Sequence, residues 1–168
     1  RLIGYGQNRP KFILPANSEG FKEANKYLLH FVDDMPRDGE EIQEANPGTF
    51  YSALNNINIE IREANPGAIA IKSHFAQHSF IANDFHLESG KACVKEVGNI
   101  IENCRFRGGK YGIIATKTSP SWPFMLRKSY FAGQEIAAIS TEEAGLTIDR
   151  CHFKNTPTGI SVNKDRIE

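Results

Sequence analysis

The amino-acid sequence predicts an all-β protein, a right-handed parallel β-helix of about five to six rungs. Two observations lead to this prediction. Segments of about 20 to 30 residues recur along the C-terminal two-thirds of the chain, and each consists of short β-type runs separated by polar bends or turns. No segment has the pattern of a long helix. Three short strands per repeat would coil so that equivalent strands stack about 4.8 Å apart, as in a β-sheet.

The clearest repeats begin at Asn99, Phe124 and Leu146, and read NIIENCRFRGGKYGIIAT, FMLRKSYFAGQEIAAIST and LTIDRCHFKNTPTGISVN. Each contains an apolar run, a polar bend, a phenylalanine, a turn with Gly or Pro, and a short aliphatic strand. The alignment places these side chains in one aromatic slot: Phe106, Phe131 and Phe153, with Leu87 and Ile61 in two weaker copies. We expect this slot to form a continuous column in the core.

The cysteines provide a test of the alignment. Cys104 and Cys151 fall in the same slot of two repeats, and Ser129 lies in that slot between them. Two rungs separate these cysteines by roughly 9–10 Å, which exceeds the reach of about 7 Å for a disulfide. With Cys93, which belongs to no CxxC or zinc pattern, they are predicted to be unpaired apolar residues of the core.

The chain is predicted to be a single β-helix domain over residues 1–168, with early rungs in 1–53, an acidic insertion at 31–44 and regular rungs in 54–163. Twenty basic and twenty acidic side chains cancel in formal charge, which argues against a nucleic-acid partner. No apolar run is long enough to predict a membrane partner. Because a solenoid has unpaired strands at both ends, we expect a homo-oligomer or further chain segments to cover them.

The motif I-x-N-C-x-F-x(5)-G-I at 101–113 resembles the parallel β-helix of the pectate-lyase-like superfamily. The opening RLIGYGQNRPKFILP resembles an early rung of its carbohydrate-active members, and GGKYGIIA with SWPFMLRKSYF is similar to the glycoside-hydrolase-related branch that holds β-1,3-glucanases. The resemblance covers roughly residues 1–15 and 54–163. It implies a polysaccharide or oligosaccharide ligand and a secreted or periplasmic location. It specifies fold better than chemistry, because the superfamily contains hydrolases, lyases, epimerases, tailspikes and binding modules.

In this superfamily the polysaccharide lies along one sheet, and the strand after the glycine turn is the candidate for that sheet. Strand alternation predicts one column of side chains that point into the core: Ile69, Val94, Ile113, Ala138 and Ile160. The adjacent outward column is predicted to be Ala70, Lys95, Ile114, Ile139 and Ser161, and Lys72 lies in a second outward column.

Our leading hypothesis is a polysaccharide-degrading glycoside hydrolase, or a fragment of one, that needs no cofactor. Glycoside hydrolysis uses two carboxyl groups about 5–10 Å apart. The predicted outward columns contain no carboxylate, so the candidate acids come from the loops that follow the strands: Glu96, Glu142 and Glu143. The candidate substrate contacts are Lys72, Lys95, Lys117 and Trp122, and the ring of Trp122 would stack on a sugar ring; the three lysines are also the possible bases of a lyase.

Two alternatives remain open. A non-catalytic module for glycan binding or structure is favoured by apolar residues in the outward column, since Ile114 and Ile139 would suit a docking surface. A polysaccharide lyase would use a basic side chain as base and calcium against a uronate, and only this alternative requires that metal. His74 and His78 have the spacing of zinc ligands on a helix, but no HExxH motif is present.

The sequence EANPG occurs twice, at Glu44–Gly48 and Glu63–Gly67. Pro fixes φ and disfavours a helical conformation at the preceding Asn, while Gly supplies positive φ. Both copies are therefore predicted to be turns, and Glu44 and Glu63 are interpreted as residues flanking those turns instead of a catalytic pair.

Overall fold

The computed structural model describes residues 1–23, 25–34, 36–118 and 123–163, and these residues contain sixteen β-strands and no α-helix. In chain order the strands are β1 (Leu2–Ile3), β2 (Lys11–Leu14), β3 (Lys26–His30), β4 (Ala53–Ile61), β5 (Ala68–Lys72), β6 (Phe80–Leu87), β7 (Ala92–Lys95), β8 (Ile100–Glu102), β9 (Arg105–Gly108), β10 (Tyr111–Ala115), β11 (Phe124–Arg127), β12 (Tyr130–Ala132), β13 (Ala137–Thr141), β14 (Leu146–Asp149), β15 (His152–Lys154) and β16 (Thr158–Val162).

Every pairing between these strands is parallel, and the strands form two sheets. The second sheet stacks six strands in the order β16, β13, β10, β7, β5, β3, and the first sheet contains the other ten. Each of the last three coils contributes two strands to the first sheet and one to the second. The predicted all-β parallel solenoid is confirmed, but it has about four turns instead of the predicted five to six rungs.

A column of phenylalanine rings runs through the core. Phe106, Phe131 and Phe153 are in register, as predicted, with ring centroids 4.5 and 5.2 Å apart. The prediction for the preceding coil is wrong, because Phe85, not Leu87, stacks on Phe106, with ring centroids 5.3 Å apart. Both Phe85 and Leu87 are buried, so alternation alone could not distinguish two alignments that differ by two residues.

The same correction applies to the coil before it. Ile59, not Ile61, is in register with Phe85, and both isoleucines are buried. The aromatic column therefore continues into an aliphatic residue at this end of the chain.

A sharp bend separates the two first-sheet strands of each late coil. Asn103, Lys128 and Arg150 have φ of 54°, 46° and 51°, the left-handed conformation that turns the chain between these strands. The slot after them holds Cys104 and Cys151, as predicted.

The slot after the bend also connects the coils by hydrogen bonds. The backbone N–H of Cys104 donates to Oγ of Ser129 at 3.2 Å, and the N–H of Asn83 donates to Sγ of Cys104 at 3.3 Å. All three cysteines are unpaired, and Cys93 and Cys104 are fully buried, which confirms the prediction for them; Cys151 is half-buried. Burial raises the pKa of Cys104 to about 12 and also raises that of Cys93.

The core column of the second sheet differs from the predicted one at two positions. The residues in register are Leu29, Ile71, Val94, Ile113, Ile139 and Ile160. Ile71 and Ile139 replace Ile69 and Ala138, and both Ala70 and Ile139, predicted to face outward, are completely buried. The Ala-Ile alternation of β5 and the small residues of β13 are apolar on both faces, so they contain no signal for the register.

The second EANPG copy forms the predicted turn before β5. The buried side chain of Asn65 donates to the carbonyl oxygens of Pro15 and Arg62, at 2.8 and 3.0 Å, and accepts from the N–H of Ser18 at 2.9 Å. This amide therefore joins two successive coils. In the described part of the chain, no helix is long and apolar enough to span a membrane.

Candidate functional site

The candidate site is a column of polar side chains at the carboxyl ends of the second-sheet strands. His30 of β3, Lys72 of β5 and Lys95 of β7 are in register on three adjacent strands, and all three are partly exposed. The column continues through Ile114, Ser140 and Ser161. The correction of the β5 register thus moves Lys72 into the same column as Lys95, about 4.8 Å away along the solenoid axis.

Lys72 is held by an anionic and an aromatic group. Its Nζ donates a hydrogen bond to Oε1 of Glu44, and it lies 5.4 Å from the centroid of the Tyr27 ring. The Tyr27 ring is in turn 5.0 Å from the ring of His30. The ammonium group is therefore fixed by an ion pair and a cation–π contact, while 15% of its side chain stays exposed.

Two histidines border this ion pair. Nδ1 of His74 is 3.9 Å from Oε2 of Glu44, and Nε2 of His74 is 3.4 Å from Nδ2 of Asn46. Burial, and secondarily the charge of Lys72, lower the pKa of His30, while Glu44 acts in the opposite direction. His30 is therefore neutral at pH 7.

The loops that contain the predicted catalytic residues are joined by hydrogen bonds at the adjoining border of the sheet. Oε2 of Glu96 accepts hydrogen bonds from the backbone N–H groups of Thr116 and Lys117, at 2.9 and 3.4 Å. The N–H of Glu143 donates to the carbonyl oxygen of Thr116 at 2.8 Å, and that of Glu142 to the preceding carbonyl. The loops after β7, β10 and β13 thus stack, as expected for acids from different rungs.

The acids differ in their surroundings. Glu96 is buried and adopts φ of 55°, and its carboxylate holds the loop that follows β10. Glu142 and Lys117 are exposed, and Glu143 is half-buried. The catalytic roles of these three glutamates and the substrate contacts of the lysines remain predictions. Trp122, the predicted stacking residue, lies outside the described residues.

Sequence reasoning did not predict that Tyr27, His30, Glu44 and His74 surround Lys72; Tyr27 and His30 were not candidates at all. The first EANPG copy is a turn, as predicted, with the N–H of Thr49 donating to the carbonyl of Ala45 at 2.7 Å. Interpreting Glu44 only as a residue flanking that turn was incomplete, because its carboxylate contacts the second sheet. A single antiparallel bridge between Val32 and Glu44 folds the acidic insertion back to this position.

The described residues contain no group of three or more His, Cys, Asp or Glu side chains placed to hold a metal ion. His78 stacks on the ring of Tyr51 at 5.0 Å, whereas His74 is directed to Glu44. The two histidines thus have separate environments.

The parallel β-solenoid places the chain among the β-helix proteins and is consistent with the pectate-lyase-like superfamily. The chain belongs to the family described as rhamnogalacturonase A/epimerase, pectate lyase-like, whose sequence model matches residues 1–161. This membership confirms the resemblance deduced from the repeat motifs and points to a carbohydrate-active β-helix protein. No curated protein and no solved structure matches the chain.

Proposed function

We propose that the protein is a glycoside hydrolase, or part of one, that acts on an acidic polysaccharide bound across the second sheet. The observation that carries this proposal is the register of Lys72 and Lys95 on adjacent strands, beside the loops that contain Glu96, Glu142 and Glu143. Two neighbouring cations on a sheet face favour a ligand with acidic groups.

Substrate binding would use the polar column. Lys95 would pair with an acidic group of the sugar chain, Lys72 would contact the chain beside the Glu44 carboxylate that binds it, and Lys117 would contact it at the loop border. Tyr27, already beside Lys72, offers an aromatic face of the kind that packs on a sugar ring. Trp122 is proposed to add a second stacking surface.

Hydrolysis would use the carboxyl groups at the border of the sheet. One carboxyl group protonates the leaving oxygen, and the second acts on the anomeric carbon or on water. Glu142, which is exposed, and Glu143 are proposed for these roles. Glu96 is the third candidate, and its carboxylate accepts two backbone hydrogen bonds from the loop that follows β10.

A lyase is the second candidate, and it is favoured by the neutral His30 beside Lys72. Elimination requires a base that removes the proton next to a uronate carboxylate, and a cation that stabilises the charge formed there. The lowered pKa of His30 keeps its imidazole unprotonated at pH 7, and Lys72 and Lys95 supply positive charge.

The test is turnover of a panel of acidic and neutral polysaccharides by the purified protein. New reducing ends without ultraviolet absorbance of an unsaturated uronide support hydrolysis, and that absorbance would replace hydrolase with lyase. Retained binding without any turnover would instead indicate a non-catalytic glycan-binding module.

The proposed acids are tested by Glu142→Gln and Glu143→Gln, with Glu63→Gln as the matched control. Glu63 belongs to the second EANPG turn and is an exposed glutamate away from the polar column. Each of the first two variants is expected to lower kcat by about 100-fold or more, whereas the control retains activity. Full activity in both Glu142→Gln and Glu143→Gln would refute the assignment.

A further inference from the structure

A groove of about 650 Å³ lies on the outer face of the first sheet. Its lining includes Arg9, Asp84, Arg105, Arg107, Lys128 and Tyr130. Asp84 belongs to β6, the arginines at 105 and 107 to β9 and Tyr130 to β12, while Lys128 precedes β12 and Arg9 precedes β2; none belongs to the second sheet. The groove is therefore a different surface from the polar column that contains Lys72 and Lys95.

The groove has an excess of positive charge. Among the charged residues of its lining, four are cations and Asp84 is the one carboxylate. Oδ1 of Asp84 is 3.3 Å from Nη1 of Arg9, and Oδ2 is 3.8 Å from Nη1 of Arg105. This half-buried carboxylate holds two guanidinium groups in place. Lys128 is paired with Glu102 at 3.1 Å, so the excess positive charge belongs to the three arginines, which share the single carboxylate of Asp84.

Outward side chains of the first sheet form two rows along the axis of the solenoid, and each row contains one arginine of β9. In one row Arg105 is in register with Tyr130, and Tyr130 with His152. In the second row Arg107 is in register with Ala132, and Ala132 with Lys154. Successive members of a row lie about 4.8 Å apart.

Exposure makes these groups accessible to a ligand. Arg105 has 65% of its side chain exposed, and Arg107, His152 and Lys154 are also exposed. The surface thus offers two guanidinium groups side by side on β9 and one phenol ring on the adjacent strand.

We propose that this groove is a second, non-catalytic site that binds the carboxylate groups of an acidic polysaccharide. A guanidinium group pairs with a carboxylate through two parallel hydrogen bonds, and Tyr130 offers an apolar face to the sugar between the charges. The proposal shares its ligand class with the proposed function but depends on different residues. A chain held here would keep the polymer near the polar column between catalytic events.

The experiment is electrophoresis of the full chain through native gels that contain polygalacturonate. The double variant Arg105→Gln/Arg107→Gln is compared with Arg37→Gln/Lys22→Gln, which removes the same charge from two exposed positions outside the groove. The groove variant is expected to lose about tenfold in affinity, whereas the control migrates as the wild type. Equal thermal unfolding midpoints of the two variants establish that the loss is not caused by unfolding.

Two further measurements complete the test. A gel with fully methyl-esterified polygalacturonate is expected to retard none of the proteins, since its carboxylates are blocked. Lys72→Gln/Lys95→Gln is expected to impair turnover but to retain most of the retardation in polygalacturonate.

Retardation that depends on Arg105 and Arg107 but occurs without any turnover would support the binding site in the groove and refute the proposed function. Wild-type retardation of the groove variant, or equal retardation by the esterified polymer, would overturn the inference.

Discussion

The carboxylate of Glu44 accepts a hydrogen bond from the ammonium group of Lys72, although 28 positions separate the two residues. Glu44 lies at the end of the acidic insertion, and Lys72 ends a strand of the second sheet. This contact, together with the one between Glu44 and His74, attaches the insertion to the candidate site.

Loss of the carboxylate at Glu44 should destabilise the protein. The side chain of Lys72 is 15% exposed, so Glu44→Gln leaves a mostly buried ammonium group without its anionic partner. We expect the free energy of unfolding to fall by about 1–3 kcal/mol, measured by urea denaturation.

The matched control is Glu63→Gln, at the same position of the second EANPG copy. Glu63 is exposed, and the substitution is expected to change the free energy of unfolding by less than about 0.5 kcal/mol. Equal effects of the two variants would show that the Glu44–Lys72 pair contributes no stability.

His30 should make stability depend on pH. Its folded-state pKa is below the ordinary value of 6.5, because of burial first and the charge of Lys72 second. The unfolded chain therefore binds the proton first as the pH falls, and the free energy of unfolding decreases from about pH 6.5 down through the folded-state pKa. Above that window the neutral imidazole makes no pH-dependent contribution.

The measurement is the thermal unfolding midpoint of wild type and His30→Gln between about pH 7 and pH 5. The wild type is expected to lose more stability over this interval than the variant. His86→Gln, at an exposed position of the first sheet, is the control and should follow the wild type. Parallel curves for wild type and His30→Gln would contradict the prediction.

The phenylalanine column should show graded sensitivity to truncation. Phe106 is fully buried between Phe85 and Phe131, whereas Phe153 occupies the last coil described and is 37% exposed. Phe106→Ala is expected to cost about 3–5 kcal/mol of unfolding free energy, and Phe153→Ala clearly less. Urea denaturation of both variants tests this, and an equal loss would mean that burial along the column is uniform.

The fold was predictable because each coil repeats the same local chemistry. In the late coils a phenylalanine and a small residue two positions before it recur at fixed offsets. This recurrence predicted the correct alignment of Phe106, Phe131 and Cys104. The predicted register was wrong at Phe85 and at Ile71. Near Phe85 a shift of two residues leaves the alternating pattern unchanged, and at Ile71 both faces of the strand are apolar, so neither segment distinguishes the alternatives.

The candidate site was only partly predictable. Lys72 and Lys95 were identified because a lysine that ends an aliphatic strand must reach solvent. Their contacts with Glu44 and His30 depend on an insertion and an early coil that do not follow the repeat. No local pattern encodes a tertiary contact of this kind, so only the folded chain could supply it.

The cysteines should differ in reactivity. Burial raises the thiol pKa of Cys93, Cys104 and Cys151, and Cys151 is the only one of the three that is not fully buried. A thiol reagent is expected to modify Cys151 first in the native protein, and the other two only on unfolding. Mass spectrometry of the labelled protein measures this order. A protein mass lower by two hydrogen atoms, together with two cysteines that do not react with the reagent, would indicate a disulfide. That result would contradict the stacking of the coils.

Lys95 should determine the preference for acidic over neutral substrates. It is half-buried, lies next to Lys72 on the sheet face, and forms no ion pair with the described residues, so its charge is available to a ligand. Lys95→Gln is expected to raise KM for an acidic polysaccharide about tenfold with little change in kcat, and to leave KM for a neutral glucan unchanged.

The matched control is Lys110→Gln. Lys110 is half-buried and directly precedes β10, so it lies at the opposite end of the second-sheet strands from Lys95. A fall in kcat with unchanged KM would instead place Lys95 in the chemical step, and an equal effect on both polymers would mean that it does not recognise charge.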